Sequence, residues 1–431
     1  MDAQSSVAFV FTVATTRRVS RHGVSVAAPP RPRRVRTATA IVLAWTALVA
    51  IVIANLIADR DGLVWDYGLP IGHDFHIFYT AARAVWDGRL AEVFVPEQLW
   101  AMAHEYLGAK FATNGLWLYP PHYLLLIAPL ALLPYVAAYV AFMLATLAAY
   151  LVAAWRLGLR WQWLVGLAVA PSTVFTLIGG QNGLLTGALM VPGVVLMQSR
   201  PHIAGVLFGV LTIKPHLGLL VVVSLVATRA WRTAVVATAT AVALAVLATL
   251  AYGVEAWTLP LQNMLPVLTR EVVDVAAYWA TGFTSVFAHA AMMFGRGAVA
   301  WGIQLVTAAL AIIATYRVCR LRNDPAVRAA IVSTGTMLTF PYLFFYDLPM
   351  VTLAVALYTQ SHRLLTRVQI ALFAALAIAP MLVISGIPGL APAVILGAFL
   401  ELWWRAERGG RSRNEPSVIG PNTKKQRRRG R

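Results

Sequence analysis

The chain has 431 residues, of which 59% are hydrophobic and only 12% carry a charge. Soluble domains average about 25% charged residues, so this composition excludes an ordinary soluble enzyme and indicates an all-α polytopic membrane protein. The formal net charge of +18 is concentrated in basic runs within residues 17–36 and 405–431. These runs flank apolar segments, as in cytoplasmic tails that contact anionic lipid, and no nucleic-acid-binding motif accompanies them. We therefore predict the lipid bilayer as a partner and no nucleic acid.

Residues 1–37 are predicted to form a disordered basic tail in the cytoplasm. The first apolar span, 37–58, has about twenty residues, enough to cross a hydrocarbon core of ~30 Å. The arginines before this span place its N-terminus inside, so the loop 59–118 faces the periplasm. Eight of the 17 acidic residues fall within residues 59–110, which agrees with that side.

Two short helices are predicted in this first periplasmic loop. Apolar residues recur at helical spacing over residues 75–85 before Gly88, and again over residues 96–106 before Gly108. Both segments are too short and too polar to cross a bilayer. We therefore expect them to lie in the membrane interface with their aromatic sides towards the lipid.

The rest of the chain up to residue 404 is predicted to complete a domain, 38–404, of about twelve transmembrane helices. A second periplasmic loop, 253–298, is rich in aromatic residues, and the tail 405–431 is expected to be disordered in the cytoplasm. The candidate spans after the first loop are 122–133, 135–155, 162–178, 183–198, 203–228, 233–252, 299–318, 327–344, 346–360, 366–384 and 387–404.

Two arrangements of the region between residues 119 and 228 remain open. If 122–133 and 135–155 both cross, Arg156 and Arg160 lie outside and 203–228 forms a single span. If 122–155 crosses only once, 203–228 becomes two short spans that meet outside at Lys214-Pro215-His216. The positive-inside rule favours the second arrangement, whereas the length of the segments favours the first.

Asp74 is the candidate catalytic residue. It lies between His73 and His76 at the start of the first loop helix, beside several aromatic side chains. The alternative is an ordinary helix N-cap, although Ile77, three residues later, provides no capping box. No set of histidine and cysteine residues has convincing metal-ligand spacing, and a single Asp beside two histidines is weak evidence for a metal.

Polar side chains within or beside apolar spans are costly, so they mark further candidate sites. Lys214 has an alternative role, pairing with Asp347 to hold helices together, and Gln181-Asn182 has an alternative role in a simple turn. The candidate substrate-binding residues are His73, His76, Tyr119, His122, Gln181, Asn182, Lys214, His216, Arg270, Tyr346 and Asp347.

The order of these motifs resembles glycosyltransferase family 87, within the GT-C class of membrane glycosyltransferases. The motifs are Gly72-His-Asp-Phe-His-Ile-Phe-Tyr, Leu118-Tyr-Pro-Pro-His-Tyr, Gly180-Gln-Asn-Gly, Ile213-Lys-Pro-His and Phe340-Pro-Tyr followed by Tyr346-Asp. The resemblance covers residues 38–404 and implies a GT-C-like bundle. It also implies inverting transfer of a hexose, mannose by default, from a polyprenyl-phosphate carrier to a hydroxyl of a lipid or glycan acceptor.

By the same resemblance the reaction takes place on the periplasmic face of a bacterial inner membrane, with both termini in the cytoplasm. Asp74 would be the general base, and Lys214, His216 and Arg270 would stabilise the leaving phosphate. Many GT-C enzymes have two acidic residues close together here, some with a metal, whereas Asp74 stands alone between histidines. We therefore predict metal-independent chemistry with no cofactor. A secondary transporter or flippase-like carrier is the alternative function, but no internal repeat supports it.

Overall fold

The computed structural model describes residues 60–61, 63–65, 68–111, 113, 115–264, 282–362 and 365–411. The predicted first span, 37–58, and the N-terminal tail lie outside the described residues, as does Arg270. Within the described part the chain is helical, apart from a short antiparallel pair of strands, β1 (Arg60–Asp61) and β2 (Val64–Trp65).

The first loop contains the two predicted helices, α1 (Phe75–Trp86) and α3 (Pro96–Leu107), and between them a further short helix, α2 (Leu90–Val93). Gly88 and Gly108 follow the longer helices with φ of 69° and 64°. Glycine adopts this left-handed conformation without steric cost, which is why each helix ends there. The prediction of two helices with glycine stops is therefore confirmed.

The aromatic side of α1 faces protein, and the expectation that it faces lipid is wrong. Phe75 is 0% exposed and Phe78 is 1% exposed. Phe75 contacts the ring of Tyr139, with 5.6 Å between the ring centroids. The hydroxyl of Tyr79 donates to the carbonyl of Leu133 at 3.1 Å. Because these rings find aromatic partners in the bundle, α1 is a core helix of the domain.

The remaining helices follow in close succession, with 3-10 turns at Ala128–Leu132, Pro215–Gly218 and Phe345–Asp347 and a π turn at Pro260–Met264. They are α4 (His122–Ile127), α5 (Tyr135–Arg156), α6 (Trp161–Ala168), α7 (Pro171–Ile178), α8 (Gly183–Leu196), α9 (Pro201–Leu211), α10 (Leu219–Thr228), α11 (Trp231–Tyr252), α12 (Glu255–Leu259), α13 (Val286–Phe294), α14 (Ala298–Leu321), α15 (Pro325–Thr336), α16 (Pro349–Ser361), α17 (Arg367–Ala377), α18 (Ala379–Ile384) and α19 (Leu390–Arg411).

Two glycines on α9 show how this helix packs against α11. A Cβ on Gly205 would come within 2.5 Å of Val236, and one on Gly209 within 2.4 Å of Thr240. Positions 205 and 209 of α9 meet positions 236 and 240 of α11 in the same order, so the two helices are parallel and in close contact. Small residues spaced four apart allow such close approach between membrane helices, where burial from water no longer drives association.

Helix α10 returns in the opposite direction. Near its end, the hydroxyl of Thr228 hydrogen-bonds to the sulfur of Met197, just before α9 begins, at 3.9 Å. Helices α9 and α10 therefore form a hairpin whose tip is residues 212–218. The hairpin agrees with the second of the two predicted arrangements in having two short helices, and the side on which they meet remains a prediction.

The position of α4 supports the same arrangement. Trp86 of the first loop donates its indole N–H to the carbonyl of Ala128 at 2.8 Å. At the start of α4, the ring of His122 hydrogen-bonds to Thr212 at the hairpin tip. The segment from α4 to Leu133 therefore begins and ends at the same end of the bundle, next to the first loop. Only α5 runs from there to the opposite end.

The two ends of the bundle differ in charge. One end, the polar end, consists of the turns 179–182, 212–218 and 337–348. The opposite end, the basic end, consists of the turns 157–160, 197–200, 229–230 and 322–324. The arginines at or near the basic end are Arg156, Arg160, Arg200, Arg229, Arg232, Arg317, Arg320, Arg322, Arg328, Arg367, Arg405 and Arg408. Positive charge collects at the cytoplasmic ends of membrane helices, so the basic end is the candidate cytoplasmic end.

Several spans are shorter than predicted. Among the described helices, three are long and apolar enough to cross a bilayer, namely α5, α11 and α14, and the bent pair α6 and α7 adds a fourth if it is one span. The predicted spans 327–344 and 346–360 are corrected to α15 and α16, because the chain leaves the helical path before Pro341. The last helix continues to Arg411, beyond the predicted domain end at residue 404. Membrane helices are thus present, and the total of about twelve remains a prediction.

Candidate active site

Asp74 stands at the N-cap position of α1, but its side chain caps nothing. Its backbone has φ −72° and ψ −13°, and its carboxylate makes no hydrogen bond to the first turn. Instead, its Oδ2 accepts a hydrogen bond from the amide nitrogen of Gln181 at 2.7 Å. Its backbone N–H donates to the carbonyl of Gly179 at 3.1 Å. The half-buried carboxylate is therefore directed at the turn between α7 and α8.

Three backbone turns meet around this carboxylate, and we call them the turn junction: residues 72–74, 179–183 and 344–347. Gly180 has φ +65°, and a Cβ there would lie 2.2 Å from the carbonyl oxygen of Gly72. A Cβ on Gly183 would lie 1.7 Å from the carbonyl oxygen of Tyr346. Any larger residue at either glycine would separate the turns. The Gly-Gly-Gln-Asn-Gly motif thus allows three segments, distant in sequence, to touch.

Gln181 connects Asp74 to Tyr119. The Tyr119 hydroxyl donates to Oε1 of Gln181 at 3.2 Å. The adjacent Asn182 is fully buried, and its amide interacts with the hydroxyls of Tyr119 and Tyr123. Asn182 therefore belongs to the same buried group of polar side chains as Gln181 and Tyr119.

Lys214, at the hairpin tip, is paired with Asp347. Its Nζ lies 2.5 Å from Oδ1 of Asp347, and the two side chains are 7% and 1% exposed. The same ammonium stands 4.9 Å from the ring centroid of Tyr346. The other oxygen of Asp347 accepts from the backbone N–H of Phe344 at 3.4 Å. The predicted pairing of Lys214 with Asp347 is therefore observed.

The two histidines beside Asp74 are buried in the first loop. Nδ1 of His76 hydrogen-bonds to the backbone carbonyl of His73, and its Nε2 hydrogen-bonds to the hydroxyl of Thr113 at 2.7 Å. Burial lowers the pKa of both histidines, against the opposing effect of the nearby Asp74 charge. A histidine whose pKa is lowered is neutral at pH 7. Through these two hydrogen bonds His76 joins the start of α1 to the segment at Thr113.

The remaining predicted histidines border the hairpin tip. Nε2 of His122 lies 3.2 Å from the hydroxyl of Thr212, and its Nδ1 is buried without a partner among the described residues. His216 packs against Phe340 and Tyr342, with ring centroids 5.6 Å and 5.3 Å away. The predicted residue Arg270 lies outside the described residues.

The site groups two carboxylates around one set of tyrosines. The charges of Asp74 and Asp347 both act on the hydroxyls of Tyr119 and Tyr346. One carboxylate is half-buried and bound by a neutral amide, whereas the other is fully buried and neutralised by Lys214. In the described part of the chain, no group of three His, Cys, Asp or Glu residues is placed to hold a metal ion.

Three side chains next to the site escaped the sequence analysis, and each completes a contact of a predicted residue. Thr113 binds His76, Thr212 binds His122, and Tyr123 lies beside Tyr119 with 4.8 Å between ring centroids. Tyr123 belongs to one of the motifs given above and Thr212 directly precedes another, so proximity in sequence was an available signal. Thr113 has none, because it lies in an irregular segment.

A family model described as Glycosyltransferase family 87 matches residues 117–341, more than half of the chain. The chain belongs to glycosyltransferase family 87. No curated protein and no solved structure matches it in the comparisons made. The region shared with family 87 includes Tyr119, Gln181 and Lys214, whereas Asp74 precedes it and Asp347 follows it.

Membership of family 87 gives the site a chemical task. A glycosyltransferase must take a proton from the acceptor hydroxyl and stabilise the charge that develops on the leaving group. The half-buried carboxylate of Asp74 lies at the turn junction, and the buried ammonium group of Lys214 lies at the hairpin tip, paired with Asp347 of that junction.

Proposed function

We propose that this protein transfers a hexose, mannose by default, from a polyprenyl-phosphate carrier to a hydroxyl of a lipid or glycan acceptor. Asp74 is the general base. The observation that supports this role is the contact between Asp74 and Gln181. This hydrogen bond holds the Asp74 carboxylate at the polar end of the bundle, and the carboxylate does not serve as a helix cap.

The proposed reaction inverts the sugar. The acceptor hydroxyl gives its proton to Asp74 while its oxygen attacks the anomeric carbon of the donor. The bond between that carbon and the phosphate oxygen breaks, and the electron pair leaves with the polyprenyl phosphate. A general base of this kind contributes about 10²- to 10⁴-fold to the rate.

Lys214 is proposed to stabilise the departing phosphate. Its pairing with Asp347 keeps a cation at a buried position, where an unpaired charge would be costly to hold. In the donor complex the phosphate shares this ammonium with Asp347. His216 at the hairpin tip and Arg270 are the further candidates for phosphate contacts.

The apolar helices around the polar end support a donor with a lipid tail. Helices α5, α11 and α14 are long and apolar, and α11 buries only Thr233 and Ala248. We propose a GT-C-like bundle of about twelve spans in a bacterial inner membrane. The basic end faces the cytoplasm and the turn junction faces the periplasm, following the distribution of arginine.

The test uses purified protein with polyprenyl-phosphate-mannose and a membrane lipid extract, and identifies the product by mass. Asp74→Asn is expected to lower turnover by about 10²- to 10⁴-fold while leaving thermal stability unchanged. Asp87→Asn is the matched control, since Asp87 is an exposed carboxylate at the other end of α1. Near-wild-type turnover in Asp74→Asn would remove the catalytic role of Asp74.

Metal independence is proposed for the same reaction. Turnover is expected to persist after exhaustive chelation and dialysis. A complete loss that Mg²⁺ or Mn²⁺ restores would contradict this part of the proposal.

A further inference from the structure

Gln181 is enclosed between a catalytic candidate and a tyrosine. It is 5% exposed. Its amide nitrogen donates to Oδ2 of Asp74 at 2.7 Å, and its amide oxygen accepts from the hydroxyl of Tyr119 at 3.2 Å. The sequence predicts that Gln181 contacts substrate; in the structure its amide nitrogen and its amide oxygen each have a partner in the protein.

The direction in which this amide points follows from its neighbours. The oxygen and nitrogen of an amide have nearly the same shape, so hydrogen-bond partners decide their orientation. The backbone N–H of Asn182, which can only donate, lies 3.4 Å from Oε1 of Gln181. Oε1 must therefore face Asn182 and Tyr119, and the nitrogen must face Asp74. An ionised carboxylate only accepts hydrogen bonds, so each donor in this series of contacts faces an acceptor.

The contact also selects one oxygen of Asp74. Gln181 occupies Oδ2, while no described residue donates a hydrogen bond to Oδ1. The backbone of Asp74 is held from the same turn, through its N–H on Gly179. The Gln181 contact thus restricts rotation of the carboxylate, the backbone contact fixes the position of the residue, and Oδ1 is left for an incoming hydroxyl.

We infer that Gln181 is a positioning residue for Asp74, oriented by the backbone of Asn182 and by Tyr119. The inference rests on the proposed function of Asp74. By donating to Oδ2, the amide holds the carboxylate of Asp74 in one orientation. The ionisable groups that interact with Asp74 from the elements around it are His73, His76, Tyr119, Tyr135 and Tyr346.

The test compares Gln181→Met, Gln181→Glu and Tyr119→Phe. Gln181→Met keeps the length of the side chain but removes the donor, so kcat is expected to fall about ten- to a hundredfold with an unchanged KM for the donor. The acidic limb of its pH–rate profile is expected to move to higher pH, because a hydrogen bond to the carboxylate has been removed. Gln181→Glu places a second carboxylate beside Asp74 and should move that limb further. Tyr119→Phe should lower kcat only a few-fold, because the N–H of Asn182 still orients the amide.

Controls separate positioning from folding and from substrate contact. Gln360→Met, which alters a solvent-exposed hydrogen bond of a glutamine at the basic end, should leave kcat and the pH profile unchanged. If Gln181→Met fails to fold, Gln181→Glu and Tyr119→Phe carry the same test. A raised KM with unchanged kcat, or an unmoved acidic limb in the folded variants, would overturn the inference while Asp74→Asn stays inactive. If Asp74→Asn is active, the proposed function itself has failed.

Discussion

Lys214 and Asp347, 133 positions apart in the sequence, form an ion pair in which Nζ and Oδ1 are 2.5 Å apart. Both side chains are almost fully buried, so each charge has exchanged water for the other. The loss of hydration costs about as much as such a pair gains by attraction, which makes a buried pair weak evidence for stability as such. Its retention at the hairpin tip therefore calls for a further role, and phosphate binding is the one proposed above.

Single substitutions in this pair are expected to destabilise the protein more than the double substitution. Asp347→Asn leaves an unpaired buried ammonium group, and Lys214→Met leaves an unpaired buried carboxylate. Each should lower the free energy of unfolding by about 3–5 kcal/mol, whereas Lys214→Met with Asp347→Leu should recover most of that loss. Thermal unfolding in detergent, followed by tryptophan fluorescence, measures the effect. A double variant that is stable but inactive supports phosphate binding, and one that regains turnover reduces the pair to helix packing.

Gly180→Ala is expected to disrupt the turn junction. The new methyl group would lie 2.2 Å from the carbonyl oxygen of Gly72 and 2.5 Å from Cβ of Phe75. Backbone cannot move aside cheaply, so the first loop should separate from the turn between α7 and α8 and turnover should be lost. Gly158→Ala is the matched control: it has φ +84° but nothing within 4 Å, so it reports the conformational cost alone, about 1–2 kcal/mol. Equal losses in both variants would show that the close approach is unimportant.

Gly209→Val is expected to loosen α11. A Cβ there would lie 2.4 Å from Cβ of Thr240, and overpacking of a tight contact costs about 1–3 kcal/mol. Gly302→Val on α14 is the control, because Gly302 has nothing within 4 Å. Thermal stability in detergent should fall in the first variant only. A similar fall in both would attribute the effect to the valine in a helix and not to the contact.

His362 and Asp324 are expected to make stability depend on pH at the basic end. Their side chains approach within 3.3 Å, and this hydrogen bond raises the pKa of His362 and lowers that of Asp324. The contribution of His362 is full below its unfolded pKa and is lost as pH rises through the raised folded value. The contribution of Asp324 is present above its unfolded pKa and is lost as pH falls through the lowered folded value.

The melting temperature of His362→Gln should therefore differ most from that of the wild type between the two unfolded pKa values, at about pH 4–6.5. It should approach the wild-type value in alkaline solution. An exposed pair contributes only about 0.2–1 kcal/mol, so the difference is small. His202→Gln, at an exposed histidine on α9, is the control. A difference that stays constant across this pH range would mean that the ion pair does not contribute.

The local features of the fold were predictable. Helices α1 and α3 follow from apolar periodicity and from Gly88 and Gly108, which act on their own segment of chain. The break at Pro215 was visible for the same reason. The direction of α10 was not, because a hairpin and a bent single span have the same composition. Only contacts such as that of Met197 with Thr228, which join distant segments, distinguish the two.

The residues of the candidate site could be predicted from the sequence, but the contacts between them could not. Asp74, Gln181 and Lys214 were singled out because each is polar and borders an apolar span. That Gln181 binds Asp74, 107 positions away, depends on how the turns meet at Gly180, which no local pattern encodes. The burial of His76 against Thr113 was missed for the same reason, and so was the aromatic environment of Phe75.

The shortness of the hairpin has a consequence for how deep the chemistry takes place. Helices α9 and α10 have 11 and 10 residues, whereas α5 has 22. At 1.5 Å per residue the hairpin rises only ~16 Å from the basic end, about half of a ~30 Å hydrocarbon layer. In the proposed topology, Lys214 at its tip lies about half-way across that layer. A donor whose tail stays among the lipids can then present its phosphate at this depth.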